Sequence, residues 1–207
     1  MSHADLSGLK AVFVVANGFC EREFLQALDV LESMQVTCRI VSVKTDLVRG
    51  WNEEKVSMQS NWGKDYAPDS DLSSAQASDY DILVLPGGKR SIEKLELDGN
   101  LKPFVSAFIE TGKPVVAYNY AVDILMRTNL VDGYSIAARD ALCDNAKSVG
   151  ARCAAPEFVV SKNLITMTRY RDIGDKLVHA VQCVISGEKY MDKVVSSDNM
   201  PTAHKAA

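Results

Sequence analysis

Apolar positions recur along the chain with two different periods. Residues 10–16 (KAVFVVA) are rich in Val and Phe without alternation, the pattern of a parallel strand covered on both faces. Asn17-Gly18 breaks the run, and residues 21–34 follow with Phe24, Leu25, Leu28 and Leu31 on one helical face. Residues 37–43 (TCRIVSV) supply a second strand, completing a strand–helix–strand unit whose handedness is nearly fixed. Between 44 and 78 the pattern loosens. Gly50-Trp51-Asn52, Val56 to Gln59 and Asn61-Trp62-Gly63 suggest short strands or a hairpin, and a weak helix is expected near 72–76. Periodicity returns with a buried strand over 81–85, a helix over 100–111 with Leu101, Val105, Phe108 and Ile109 inward, and a strand over 114–118. A helix then opens at Ala121 and the stretch ends at Gly133. A helix over 140–149, a strand pair over 158–160 and 164–168, and a closing helix over 173–185 complete the pattern. The outcome is an α/β fold with a mainly parallel central sheet.

The strand over 114–118 and the helix from Ala121 meet at Asn119. A sharp strand-to-helix turn leaves one residue at its apex in a strained conformation, with the side chain raised above the sheet and free N–H groups beside it. Many enzymes place a nucleophile there. Asn tolerates positive φ better than most residues, so Asn119 suits the geometry, yet its amide has no useful nucleophilicity. The other landmark is Pro86-Gly87-Gly88 after the third strand, where two glycines permit close backbone approach and expose N–H groups to an anion.

With 207 residues, 47% of them hydrophobic, the chain is long enough for one domain with a substantial core. That domain is expected over 1–195, and 196–207 is expected to be a disordered tail. A formal charge of −4 with scattered Lys and Arg argues against a nucleic-acid or membrane surface. No stretch reads as a signal peptide or a membrane span, which implies a cytoplasmic protein. Five cysteines, Cys20, Cys38, Cys143, Cys153 and Cys183, form an odd set without a CxxC pair, so reduced thiols are expected. Only His3, His179 and His204 are available to a metal, so neither a metal site nor a cofactor is expected.

The ordered landmarks resemble the ThiJ/PfpI superfamily over residues 9–185, with its intracellular-protease-like branch nearest. They are Gly18-Phe19 with Glu23, Gly50-Trp51-Asn52, Asp79-Tyr80-Asp81 leading into Leu85-Pro86-Gly87-Gly88, Gly112-Lys113-Pro114, and Asn163-Leu164-Ile165-Thr166. The resemblance implies a flavodoxin-like three-layer sandwich, related to the class I glutamine amidotransferase domain. In that family the segment after GKPV usually reads AAICHG, the cysteine being the nucleophile. Here the segment reads AYNYA, so Asn119 takes the position of the cysteine and Tyr120 that of its histidine neighbour. Glu23 matches the family carboxylate that contacts the cysteine, and Cys20 stands where an acid is common. Because the attacking species is a thiolate, Asn119 argues against the hydrolase, deglycase and glyoxalase activities that the resemblance would otherwise imply.

Each candidate carries two readings. Asn119 is either a hydrogen-bond partner in a retained pocket or a residue fitted to a strained turn. Glu23 either serves the site or is a first-turn carboxylate favoured by the helix dipole. The N–H groups of Gly88 and Tyr120 form either an anion cradle, with Gly87 beside it, or an empty turn. Tyr120 either donates its hydroxyl or fills the pocket. Cys20 is either a displaced reactive thiol, opposed by Glu21 and Glu23, or a small buried hydrophobe. Asp123 is an ordinary first-turn acid and His179 structural, while Trp51 and Trp62 line a pocket, meet a second subunit or simply pack. Arg169 and Arg171 follow the last strand, where one of them either binds an anion or the two form a solvated pair, the favoured account. The leading expectation is a homodimeric pseudoenzyme that binds a small anionic ligand or acts as a chaperone-like or regulatory protein. The alternatives are a hydrolase, protease-like or lyase enzyme using Glu23 with Tyr120, or Cys20, and a structural subunit.

Overall fold

The computed structural model describes residues 4–52, 61–154, 157–168 and 173–191. The expected features at Val56 to Gln59, at Arg169 and Arg171, at His3 and His204 and in the 196–207 tail lie outside these residues. The central sheet contains β1 (Lys10–Val14), β3 (Thr37–Ser42), β6 (Ser70–Asp71), β7 (Ile82–Leu85), β8 (Val115–Tyr118), β11 (Phe158–Ser161) and β12 (Leu164–Met167). Their order is β11-β12-β8-β7-β1-β3-β6, and every pairing is parallel except β11 with β12. Two smaller sheets flank it. One pairs β9 (Ser135–Ala137) with β10 (Arg152–Ala154), and the other joins β2 (Phe19–Cys20), β4 (Val48–Trp51) and β5 (Trp62–Tyr66).

Adjacent residues of β1, β7 and β8 face opposite sides of the sheet, and both sides are covered, which is why these strands show no alternation in sequence. Val12, Val14, Leu83, Leu85, Val115 and Ala117 pack beneath α3 (Leu101–Glu110) and α4 (Ala121–Arg127). Ala11, Phe13, Ile82, Val84, Val116 and Tyr118 pack against α1 (Glu21–Ser33) and α6 (Gly174–Ser186). The result is the three-layer flavodoxin-like sandwich. On α1 the fully covered positions are Phe24, Ala27 and Leu31, while Leu25 and Leu28 are half-buried at the edge of the face.

Two expectations require correction, and one helix is unanticipated. Residues 72–76 form a turn, because Asp71 accepts the N–H groups of Ser73 and Ser74 at 3.0 Å each and so holds the backbone out of helical register. The segment after Gly88, where the sequence pattern names no element, forms the short helix α2 (Lys89–Leu95), whose Ile92 and Leu95 enter the core. Cys143 and Cys153 are joined in a disulfide. Cys143 opens α5 (Cys143–Ser148) and Cys153 lies on β10; β10 runs beside β9 and brings their Cα atoms to 5.3 Å, a pairing that sequence spacing does not reveal. Cys20, Cys38 and Cys183 take no part in that disulfide. No helix among the described residues is long and apolar enough to cross a membrane.

Candidate functional site

The C-terminal ends of β1, β7 and β8 converge on one small region, as the open parallel topology dictates. Asn119 follows β8 with φ +44°, the left-handed apex expected of the elbow, and its N–H donates to the Met167 carbonyl at 2.8 Å. Its side-chain amide donates to Glu23 Oε1. The other carboxyl oxygen, Oε2, accepts the Gly87 N–H at 2.7 Å. Glu23 is 2% exposed. One buried carboxyl on the first turn of α1 therefore joins two strand-end loops through charge-assisted hydrogen bonds.

The glycines are needed for this closure. A Cβ at Gly87 would lie 2.7 Å from Glu23 Oε2 and 2.9 Å from the Tyr118 carbonyl. Gly88 has φ +101°, and a Cβ there would meet the Cys20 nitrogen and the Gly18 carbonyl at 2.6 Å. The Cys20 N–H donates to the Gly87 carbonyl at 2.9 Å, completing a backbone-to-backbone contact between the loops. No hydrogen bond among the described residues uses the N–H of Gly88 or Tyr120.

Tyr120 does not share the surroundings of the Asn119 amide. Asn119 turns to Glu23 beneath α1, whereas Tyr120 packs on the α3–α4 side with the Arg139 guanidinium 3.9 Å from its ring centre. Cys20 is buried, 7% exposed, and pairs with Trp51 between β2 and β4. Glu21, also buried, accepts the Lys64 N–H at 2.7 Å and the Tyr66 hydroxyl at 3.0 Å, tying α1 to β5. Burial, reinforced by that bond, raises the Tyr66 pKa. Asp123 belongs to a separate group. Burial raises its pKa, and the opposing positive charges come from Arg127 and Arg139. Glu96 stands beside Asp123 and is raised chiefly by burial, against the effect of Arg127 at 3.2 Å. His179 contacts Cys183 at 3.7 Å and the Tyr190 ring at 5.3 Å on the closing helix.

Three residues of this region escape sequence reasoning. Tyr118, fully buried on β8, has a hydroxyl without a hydrogen-bond partner among the described residues; burial first, and the Glu23 charge second, raise its pKa. Arg139 covers Tyr120, and Arg90 lies 3.8 Å from the centre of the Trp51 ring. The aromatic residues Tyr120 and Trp51 were legible, but which cation each would meet depends on loops distant in sequence. Trp51 and Trp62 themselves meet edge to face at 5.1 Å. Among the described residues, no group of three His, Cys, Asp or Glu side chains is arranged to hold a metal ion.

Comparison with known proteins accounts for this architecture. A Bacillus subtilis (strain 168) protein named "Putative cysteine protease YraA" is 35% identical over 98 residues, which make up 47% of this chain and 57% of that protein. Protein/nucleic acid deglycase 2 of Escherichia coli (strain K12) is 28% identical over 104 residues, 50% of this chain and 60% of that one. The chain thus spans less than two thirds of the length of these two relatives. The ThiJ/PfpI domain protein from Brachyspira murdochii superposes with a TM-score of 0.72 at 18% identity, covering 87% of this chain and 98% of that one. Oxidized DJ-1 of Toxoplasma gondii superposes with a TM-score of 0.66 at 19% identity, covering 86% and 88%. The sequence profile of the DJ-1/PfpI family matches residues 9–175, from the start of β1 into α6, and the chain belongs to that family.

Proposed function

We propose that this chain binds a small organic anion at the elbow and carries out no cysteine chemistry there. The observation that supports this reading is the pairing of the Asn119 amide with the buried Glu23 carboxyl at a left-handed apex. A thiolate at that point would be a nucleophile; an amide engaged as a donor is not. The N–H groups of Gly88 and Tyr120, with Gly87 fixed on Glu23, remain as the anion's donors. A homodimer is part of the proposal, with regulation or chaperone-like action through association.

The names of the relatives favour a second reading, an enzyme of protease-like, hydrolase or lyase type that uses Glu23 with Tyr120, or Cys20. Cys20 lies against Gly87 through its own N–H, which is the observation in its favour. Peptidase and deglycase assays on the wild-type protein and on Asn119→Cys separate the two. The expected result is no turnover by the wild type, a melting temperature raised by formate or acetate, and a reduced rise in Glu23→Gln. Wild-type turnover that disappears in Cys20→Ser or Glu23→Gln overturns the binding reading. Sedimentation of the wild-type protein as a monomer across micromolar concentrations removes the homodimer.

A further inference from the structure

A second recognition element adjoins the elbow. Gly18, Trp51, Gly88, Lys89 and Arg90 line a cavity of about 230 Å³. Its walls are fixed by close backbone packing. A Cβ at Gly18 would lie 2.7 Å from Arg90 Cβ, so glycine permits α2 to start directly against the Asn17–Gly18 turn. The Gly18 N–H donates to the Arg49 carbonyl at 2.8 Å, the Arg49 N–H to Asn17 Oδ1 at 2.7 Å, and the Ala16 N–H to Ser91 Oγ at 2.8 Å. These bonds hold the start of α2 and the end of β4 in one register, which places Arg90 over Trp51.

The electrostatics of the wall are unbalanced. The Arg90 guanidinium lies over the indole, a geometry that leaves its in-plane N–H donors at the edge, where a carboxylate pairs in bidentate fashion. No carboxylate among the described residues pairs with it. Among the described residues Lys89 pairs with Glu93 at 3.8 Å, a pair exposed on both sides and therefore weak. The neighbouring cations are already engaged, Arg49 with Asp65 at 2.5 Å and Lys94 with the Asn17 carbonyl at 3.3 Å. Among the described residues no acidic side chain lines the cavity, although the chain as a whole carries a formal charge of −4. The rest of the lining is apolar, from Trp51 and the Cα faces of Gly18 and Gly88.

We propose that this cavity binds a small organic acid, its carboxylate held by Arg90 with Lys89 and its apolar body against Trp51 and the two glycines. The site deepens the elbow reading by giving the ligand a chemical class, and it rests on that reading only through the shared Gly88. Trp51 and Trp62 are the only tryptophans in the chain, so tryptophan emission reports directly on this surface. Benzoate serves as the probe, with acetate lacking the apolar body and benzyl alcohol lacking the charge. Saturable change in emission with benzoate is expected, with acetate and benzyl alcohol each at least about tenfold weaker. Arg90→Met keeps the apolar stem, and its unchanged melting temperature shows that it is folded; it is expected to weaken benzoate about tenfold or more. Weakening in Arg90→Met alone, or in both Arg90→Met and Glu23→Gln, supports the site. Weakening in Glu23→Gln alone leaves the elbow reading standing and overturns this one. Absence of a saturable change, or benzyl alcohol binding as tightly as benzoate, also overturns it.

Discussion

Replacing Asn119 separates the two physical contributions at the elbow, the left-handed backbone and the amide–carboxyl bond. At φ +44° an alanine incurs about 1 kcal/mol of backbone strain that glycine avoids. Both substitutions remove the donor to Glu23 Oε1 inside a pocket where that carboxyl is 2% exposed. A hydrogen bond to a charged group is worth about 1.5–3 kcal/mol, so Asn119→Gly should cost about 2 kcal/mol and Asn119→Ala about 3 kcal/mol. The Gly87 N–H on Oε2 remains in both variants and limits the loss. Urea unfolding measures the difference. With a slope of about 3 kcal/mol per molar, as expected near the upper end for small proteins, the midpoint of Asn119→Ala should fall by about 1 M and that of Asn119→Gly by somewhat less, at unchanged slope. Alanine proving as stable as glycine would refute the strained apex. Both variants within about 0.5 kcal/mol of wild type would refute the buried hydrogen bond.

Tyr118→Phe removes a fully buried hydroxyl that has no hydrogen-bond partner among the described residues, so it should leave stability unchanged or raise it by about 1 kcal/mol, read as an increased urea midpoint. A loss above about 1 kcal/mol would show that the hydroxyl is paired. The Glu96 and Asp123 carboxyls have folded-state pKa values raised from 4.5 and 3.8, so the folded state retains protons that the unfolded chain has already lost. Their contribution to stability is complete below those ordinary values and declines as pH rises through the raised ones. Asp123→Asn should therefore show a smaller fall in urea midpoint than wild type as pH is raised from about 4 to 7; an unchanged or steeper fall contradicts the assignment.

The linear sequence determined the repeating frame of this protein. Unbroken apolar runs at β1, β7 and β8 could only be strands covered on both faces, and the intervening helical period at α1, α3 and α6 supplied the cover. The apex at Asn119 was legible for the same reason, because an apolar strand passes into helical spacing across a residue suited to positive φ. Local chemistry misled where short polar segments compete with helix formation. Asp71 captured the N–H groups of Ser73 and Ser74, and the brief α2 offered too few turns for its period to stand out. Tertiary structure alone decided the partners. Glu23 and Asn119 are 96 residues apart in sequence, the strands β9 and β10 bring Cys143 to Cys153, and Arg90 reaches Trp51 because Gly18 lets two loops touch. Such pairings follow from the stacking order of parallel strands, which places distant strand ends side by side, and periodicity along a chain carries no record of which ends will meet.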